Sequence, residues 1–169
     1  MFTEEYGIEL EKYFKFNSSH FVVYKDWNEP LHGHNYKVSI KLKSKKLNEE
    51  FMVFDFDVIK KIATEICNNL KHCLLLPKFN KGLKFEEEDN NLKITCKDGT
   101  FFSIDKKSVR IIDTHQISAE CLSKYFAEKV LEKLKEIEHF DQLEITKLEC
   151  RIYEDKGKCG IFTLKKKDK

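Results

Sequence analysis

Two stretches of this chain place histidines where they could act together. In Leu31-His32-Gly33-His34-Asn35-Tyr36, continued by the alternating run Lys37-Val38-Ser39-Ile40-Lys41-Leu42-Lys43, an extended backbone sends His32 and His34 to the side that also carries Tyr36, Val38, Ile40 and Leu42. Phe14-Lys15-Phe16-Asn17-Ser18-Ser19-His20 alternates in the same way, which puts His20 on the face of Phe14 and Phe16. If the two strands are neighbours, three imidazoles converge against an apolar layer. Buried neutral imidazoles each need a hydrogen-bond partner, whereas one metal ion would use a nitrogen from every one of them. Three histidines with a fourth position open is the ligand set of a catalytic zinc. Copper is disfavoured because no Met or Cys sits in the motif, and non-haem iron because its sites usually exchange one histidine for a carboxylate. The pattern by itself leaves the metal open, as it leaves open three unrelated histidines in a core and at a strand end.

Other ionisable groups have plainer readings on pattern alone. Glu29 stands three residues before His32 in a polar loop and reads as a solvated carboxylate. His72 follows a helical stretch, where an imidazole can meet terminal carbonyls. Glu120 suits the first turn of a helix that Ser118 opens. Glu154 continues the parity of Leu148, Cys150 and Ile152, which sets a carboxylate on or beside a buried face unless the strand ends at Tyr153. The six cysteines include no C-x-x-C spacing and fall mostly on apolar positions, so they read as free, mostly buried thiols.

The elements that must position these groups follow from periodicity. Ile8, Leu10, Phe14 and Phe16 predict a strand over about 8–20 with Lys12 as an interruption, and the His-Gly-His run predicts its partner. Val58 to Leu70 has helical spacing after a cap at Asp55 or Asp57, and Pro77 lies beyond its end. Residues 78–91 read as a solvated loop with an acidic run, Leu92 to Ile104 as a β-hairpin turning at Asp98-Gly99, and Val109 to Ile112 as a short extended piece. Ala119, Leu122, Phe126, Val130, Leu134 and Ile137 make one apolar helix face. Two closing strands and a frayed lysine tail complete the chain. This order predicts an α+β fold in which two helices pack on one face of an antiparallel sheet, with an inserted hairpin at about 78–110 in a single domain.

Bulk properties exclude several classes. With 31 basic and 29 acidic residues in 169, the chain has no basic excess and no nucleic-acid-binding signature. No apolar run is long enough for a membrane span, the start is acidic rather than signal-like, and the expected compartment is the cytoplasm.

The ordered motifs Phe16 to His20, His32-Gly33-His34-Asn35-Tyr36, Val53-Phe54-Asp55-Phe56, Leu70-Lys71-His72, Ser118-Ala119-Glu120 and Tyr153-Glu154 together resemble the 6-pyruvoyl-tetrahydropterin synthase and 6-carboxy-tetrahydropterin synthase family. The resemblance covers nearly everything but the insertion. It implies the tunnelling fold, zinc on His20, His32 and His34, and homohexamers built from two trimers. Three departures stand out. Asn28 occupies the position of the family's catalytic cysteine, Lys71 replaces an aspartate before His72, and the insertion lengthens the path between the helices.

Glu29-Pro30-Leu31-His32-Gly33-His34 matches a variant of the family with Glu-x-x-His-Gly-His. That variant resembles a folate-pathway enzyme forming 6-hydroxymethyl-7,8-dihydropterin from 7,8-dihydroneopterin triphosphate. In this light Glu29 becomes the candidate base, His72 a proton relay and Glu154 the anchor of the pterin ring, with Glu120 and Ser118 lining the same pocket. Triphosphate elimination to 6-pyruvoyl-tetrahydropterin and a non-catalytic zinc- or pterin-binding role are the alternatives.

Overall fold

A computed structural model describes residues 4–167. The part of the expected frayed tail at Asp168 and Lys169 lies outside the described residues. The elements in order are β1 (Tyr6–His20), β2 (His32–Ser44), α1 (Phe56–Leu70), β3 (Leu74–Pro77), β4 (Leu83–Glu88), β5 (Asn91–Cys96), β6 (Phe101–Asp105), β7 (Val109–Ile112), α2 (Ala119–Lys135), β8 (Ile145–Asp155) and β9 (Lys158–Lys165). Six strands form one sheet in the order β7-β3-β1-β2-β8-β9. Both helices cover one of its faces, and the main core lies between them: Leu10, Phe14, Phe16, Val38, Ile40, Leu148 and Ile152 from the strands meet Ile59, Ile66, Leu122, Phe126 and Val130 from the helices.

The expected antiparallel sheet holds for β1, β2, β8 and β9, but β3 pairs parallel to β1 and β7 parallel to β3. The sequence hid this edge because Leu74–Pro77 is buried at every position, so it lacks the alternation that marks a one-sided strand, as parallel strands covered on both faces commonly do. The expected hairpin is also larger than predicted, since β4, β5 and β6 form a three-stranded sheet. Residues 83–88 are therefore strand rather than solvated loop. Leu83 and Phe85 pack with Leu74, Leu76, Leu92, Ile94, Phe102 and Phe21 in a second apolar cluster. Glu87 and Glu88, which gave the segment its loop-like composition, pair at the surface with Lys106 and Lys93.

The predicted interruption at Lys12 is a β-bulge. Leu10 pairs with Ile40 and Phe14 with Val38, so residues 11–13 stand opposite Ser39 alone. Lys12 takes φ +51, and its amide donates to Ser39 Oγ at 2.7 Å. Two extra residues rather than one preserve the side-chain parity of β1, and so Leu10, Phe14, Phe16 and His20 all face the helices.

Capping sets the helix starts. Asp55 accepts from the Asp57 amide at 2.7 Å, and Ser118 accepts from the Cys121 amide at 3.3 Å, which satisfies otherwise orphaned donors. The N-terminus of α2 lies directly on β9, where a Cβ built on Gly160 would stand 2.2 Å from the Ala119 carbonyl carbon and 2.3 Å from the Glu120 nitrogen. Backbone on both sides leaves nothing flexible to yield. Gly160→Ala is therefore expected to destabilise the fold by about 2 kcal/mol or more in urea unfolding. A loss below about 0.5 kcal/mol would contradict this close packing.

Candidate active site

The sheet face that carries the core continues past it, and at that end its inward positions are imidazoles. His20 pairs directly with His32, and Ser18 with His34, so parity brings all three rings together. Their centroids are 4.5, 5.2 and 5.0 Å apart, and one candidate ligand atom from each lies within 4.8 Å of the others. Nδ1–H of His20 donates to the Ile117 carbonyl at 2.7 Å, and Nδ1–H of His32 donates to the Pro30 carbonyl at 2.8 Å. A carbonyl only accepts, so each bond fixes a proton on Nδ1, and in a neutral ring the lone pair is then on Nε2. His20 Nε2 is buried without a hydrogen-bond partner. Burial pulls the His20 imidazole down to about 4, outweighing the Ile117 bond, and so keeps the ring neutral near pH 7. An orphaned, neutral nitrogen facing two further imidazoles fits a zinc-type ion, with backbone carbonyls orienting the ligands from behind.

Glu29 is not the solvated carboxylate its loop composition suggests. The chain between β1 and β2 folds back as a short ribbon, with Glu29 N–H donating to the Val22 carbonyl at 3.0 Å and Tyr24 N–H to the Trp27 carbonyl at 2.9 Å. The Glu29 carboxylate then accepts from the Val22 amide at 3.3 Å and from the Tyr24 hydroxyl at 3.2 Å. Tyr24 is itself stacked on Trp27 at 4.4 Å. These bonds turn Glu29 towards the histidines, into a cleft of about 550 Å³ also lined by Ser118, Glu120 and Glu154.

Glu154 sits on β8, which runs on to Asp155, and it keeps the inward parity of Leu148, Cys150 and Ile152. Burial raises its carboxyl pKa first, and the charges of Glu120 and Glu29 raise it further against the opposing pull of His34 and His32. Beside it, the Tyr36 hydroxyl is buried without a partner, and burial followed by the Glu154 charge pushes that phenol well above its usual range. The site thus pairs a carboxylate short of donors with a firmly protonated phenol.

One chain therefore brings together His20, His32, His34, Glu29, Glu154, Glu120 and Ser118. The Ser118 hydroxyl oxygen already accepts the Cys121 amide, which leaves its proton available to donate. His72 is placed elsewhere. It follows α1 at φ +58, its amide donates to the Asn17 carbonyl at 2.7 Å, and it lines a second hollow of about 480 Å³. That hollow shares only His34 with the cleft. Lys71, in place of the family's aspartate, turns back to Asn68 Oδ1 at 2.8 Å. Two contributors were missed in sequence. Tyr24 belongs to a ribbon whose turn, Asp26-Trp27-Asn28, signals a reversal but not its register. Cys159 is exposed and lines the cleft, while Cys67, Cys73, Cys96 and Cys150 are buried thiols as expected.

An α+β sheet of this topology with a three-histidine cleft at the strand ends defines a tunnelling-fold protein. The family model for 6-pyruvoyl tetrahydropterin synthase matches residues 9–164, and the chain belongs to that family. A Methanocaldococcus jannaschii protein provisionally named 6-carboxy-5,6,7,8-tetrahydropterin synthase is 33% identical over 123 residues, 73% of this chain and 75% of that one. A Pyrococcus horikoshii protein with the same provisional name is 32% identical over 157 residues, covering 90% and 89%. Among solved structures, 6-pyruvoyl tetrahydropterin synthase from Plasmodium falciparum superposes with a TM-score of 0.90 at 28% identity over 95% of this chain and 98% of that chain. A Plasmodium vivax 6-pyruvoyltetrahydropterin synthase in which a catalytic glutamate is replaced by alanine gives 0.89 at 26% identity, covering 96% and 99%. No helix among the described residues is long and apolar enough to cross a membrane.

A metal held by this triad would be tied to folding, because only the folded chain brings the three rings together. At a free zinc concentration about 100 times Kd, binding adds about 2.7 kcal/mol of stability. Zinc is thus expected to raise the melting temperature of metal-stripped protein and leave that of His34→Ala unchanged. An equal rise in both would place the metal elsewhere.

Proposed function

We propose that the protein converts 7,8-dihydroneopterin triphosphate into 6-hydroxymethyl-7,8-dihydropterin by cleaving the C1′–C2′ bond of the side chain, a step of folate biosynthesis. The observation that carries this reading is the Glu29 carboxylate turned into the three-histidine cleft, with Asn28 where other family members hold a thiol. The Plasmodium vivax relative, whose catalytic residue is a glutamate, supports it.

Glu29 takes the proton of the C2′ hydroxyl as general base. The C1′–C2′ pair of electrons moves into the dihydropterin ring, C2′ leaves as the aldehyde of a two-carbon triphosphate, and a proton is returned to C1′. A zinc ion held by His20, His32 and His34 would supply Lewis acidity toward the side-chain hydroxyls. A carboxylate suits removal of a proton from an acidified hydroxyl, whereas drawing one from carbon suits a thiolate better. Glu154 accepts two hydrogen bonds from the donor edge of the 2-amino-4-oxopteridine, supplying the partners its carboxylate lacks, with Glu120 and Ser118 on the same wall. His72 is the proposed proton source for C1′. Because it opens on the other hollow, a neighbouring copy must present it, and the proposed hexamer of two trimers supplies that copy. Strands β7 and β9, the two edges of the sheet, leave backbone groups free for such assembly.

Triphosphate elimination to 6-pyruvoyl-tetrahydropterin is the second reading, favoured by the description of the matching family model. Mass analysis of products from 7,8-dihydroneopterin triphosphate separates the two. Glu29→Ala is expected to slow carbon–carbon cleavage about 10²- to 10⁴-fold with zinc content intact, and Asn28→Cys combined with Glu29→Ala to move products towards the pyruvoyl compound. Near-wild-type cleavage by Glu29→Ala would remove it as the base. Release of no product by the wild type would leave a zinc- and pterin-binding protein. Glu154→Gln, which exchanges one acceptor for a donor, is expected to raise KM at least about tenfold, the loss of roughly one charge-assisted hydrogen bond. An unchanged KM would end the anchoring role.

A further inference from the structure

The ribbon that carries Glu29 is held at both of its limbs by structures outside it. On the incoming limb, Gln116 clamps Val23, its Oε1 accepting from the Val23 amide at 3.3 Å and its Nε2 donating to the Val23 carbonyl at 2.8 Å. On the outgoing limb, Asn28 faces Val23 across an isolated antiparallel bridge. The ribbon's internal bonds run from Glu29 N–H and Tyr24 N–H, so the Asn28 N–H points out of the ribbon. It meets Asp98 Oδ2 at 3.0 Å, 70 positions along the chain.

Asp98 stands in the turn between β5 and β6, in the inserted sheet. Its other oxygen, Oδ1, accepts from the Thr100 amide at 2.9 Å, and Gly99 supplies the φ of +91 that closes the turn. The turn is anchored in its own right, since the Gly99 amide donates to the Cys96 carbonyl at 3.0 Å and the Lys97 amide to the Gly82 carbonyl at 2.9 Å. The inserted sheet is seated on the end of β1 through Phe21, stacked on Phe102 at 5.1 Å. The inserted sheet therefore contacts both the residue that follows His20 and the amide next to Glu29.

We propose that Asp98 is a positioning residue for Glu29, and that the inserted sheet serves to fix the Glu29 limb of the ribbon relative to the three histidines. Without the Asp98 carboxylate, the outgoing limb keeps its bonds to the incoming limb and its run into β2, but the amide beside Glu29 loses its tie to the inserted sheet. The Glu29 side chain then spends less time within reach of the hydroxyl it must deprotonate. Loss of orientation at a reacting group lowers turnover without altering the chemistry available.

This inference rests on the reading of Glu29 as the base, and a double-mutant cycle keeps the two apart. The zinc-loaded full chain is assayed for cleavage of 7,8-dihydroneopterin triphosphate as wild type, Asp98→Ala, Glu29→Ala and the double variant, and amide exchange at Asn28 is measured in each. Asp98→Ala is expected to lower kcat about tenfold, with KM within about twofold, zinc content unchanged and Asn28 exchange at least about tenfold faster. In the Glu29→Ala background the same substitution is expected to change kcat by less than about twofold, because nothing remains to position. Asp98→Asn, which keeps an acceptor for the Thr100 amide and so preserves the turn, is expected to show the same coupling. Losses that multiply across the cycle, or Asn28 exchange that does not change, would overturn the positioning role. Wild-type cleavage by Glu29→Ala alone would instead overturn the base, with the exchange arm still reporting on Asp98.

Discussion

Two backbone carbonyls determine what the histidine cluster can be. Ile117 and Pro30 each engage the Nδ1–H of an imidazole, and the fit of the cluster to a metal depends on the nitrogen this leaves facing inward. The Ile117 carbonyl is delivered by the approach to α2, which comes close enough only because Gly160 has no side chain. His20 is delivered by β1, whose bulge adds two residues and so keeps the strand's parity. A one-residue bulge would have turned His20 to the opposite face. An unpartnered buried nitrogen costs about 1–3 kcal/mol, and a bound metal removes that cost. Stability and ligand geometry thus come from the same contacts.

The electrostatics of the cleft follow from burial acting on opposite kinds of acid. Burial drives His20 to its neutral form and holds Glu154 towards protonation, and so disfavours isolated charge of either sign. Glu29 lies at the open side of the cleft, where its carboxylate accepts from the Val22 amide and the Tyr24 hydroxyl. Within one cleft the protein thus holds one carboxylate supplied with donors and another, Glu154, that a ligand with two donors would satisfy. Three carboxylates this close would repel one another in isolation, and a cation at the histidines offsets that repulsion.

Much of this could be read from the residues. The shared parity of His20, His32 and His34, the cap at Ser118 and the continuation of β8 to Glu154 all follow from strand and helix periods, because each side chain's direction is set by its own element. What stayed hidden depends on contacts between distant segments. Glu29 could not be told from a solvated loop residue, since its bonds to the Val22 amide and the Tyr24 hydroxyl depend on a ribbon register that composition does not show. His72 could not be kept apart from the cleft, since its side of the sheet is fixed by the parallel pairing of β3, which a run of buried leucines does not reveal. Strand β4 was obscured by the three glutamates that follow its buried Leu83 and half-buried Phe85.

Zinc at the end of the β1–β2 pair would be held by three imidazoles oriented by backbone carbonyls. X-ray absorption at the zinc edge of the reconstituted protein tests it most directly. One zinc per chain bound to three imidazole nitrogens is expected, with the signal lost in His34→Ala. A shell containing sulfur, or an imidazole signal that survives that substitution, would contradict it.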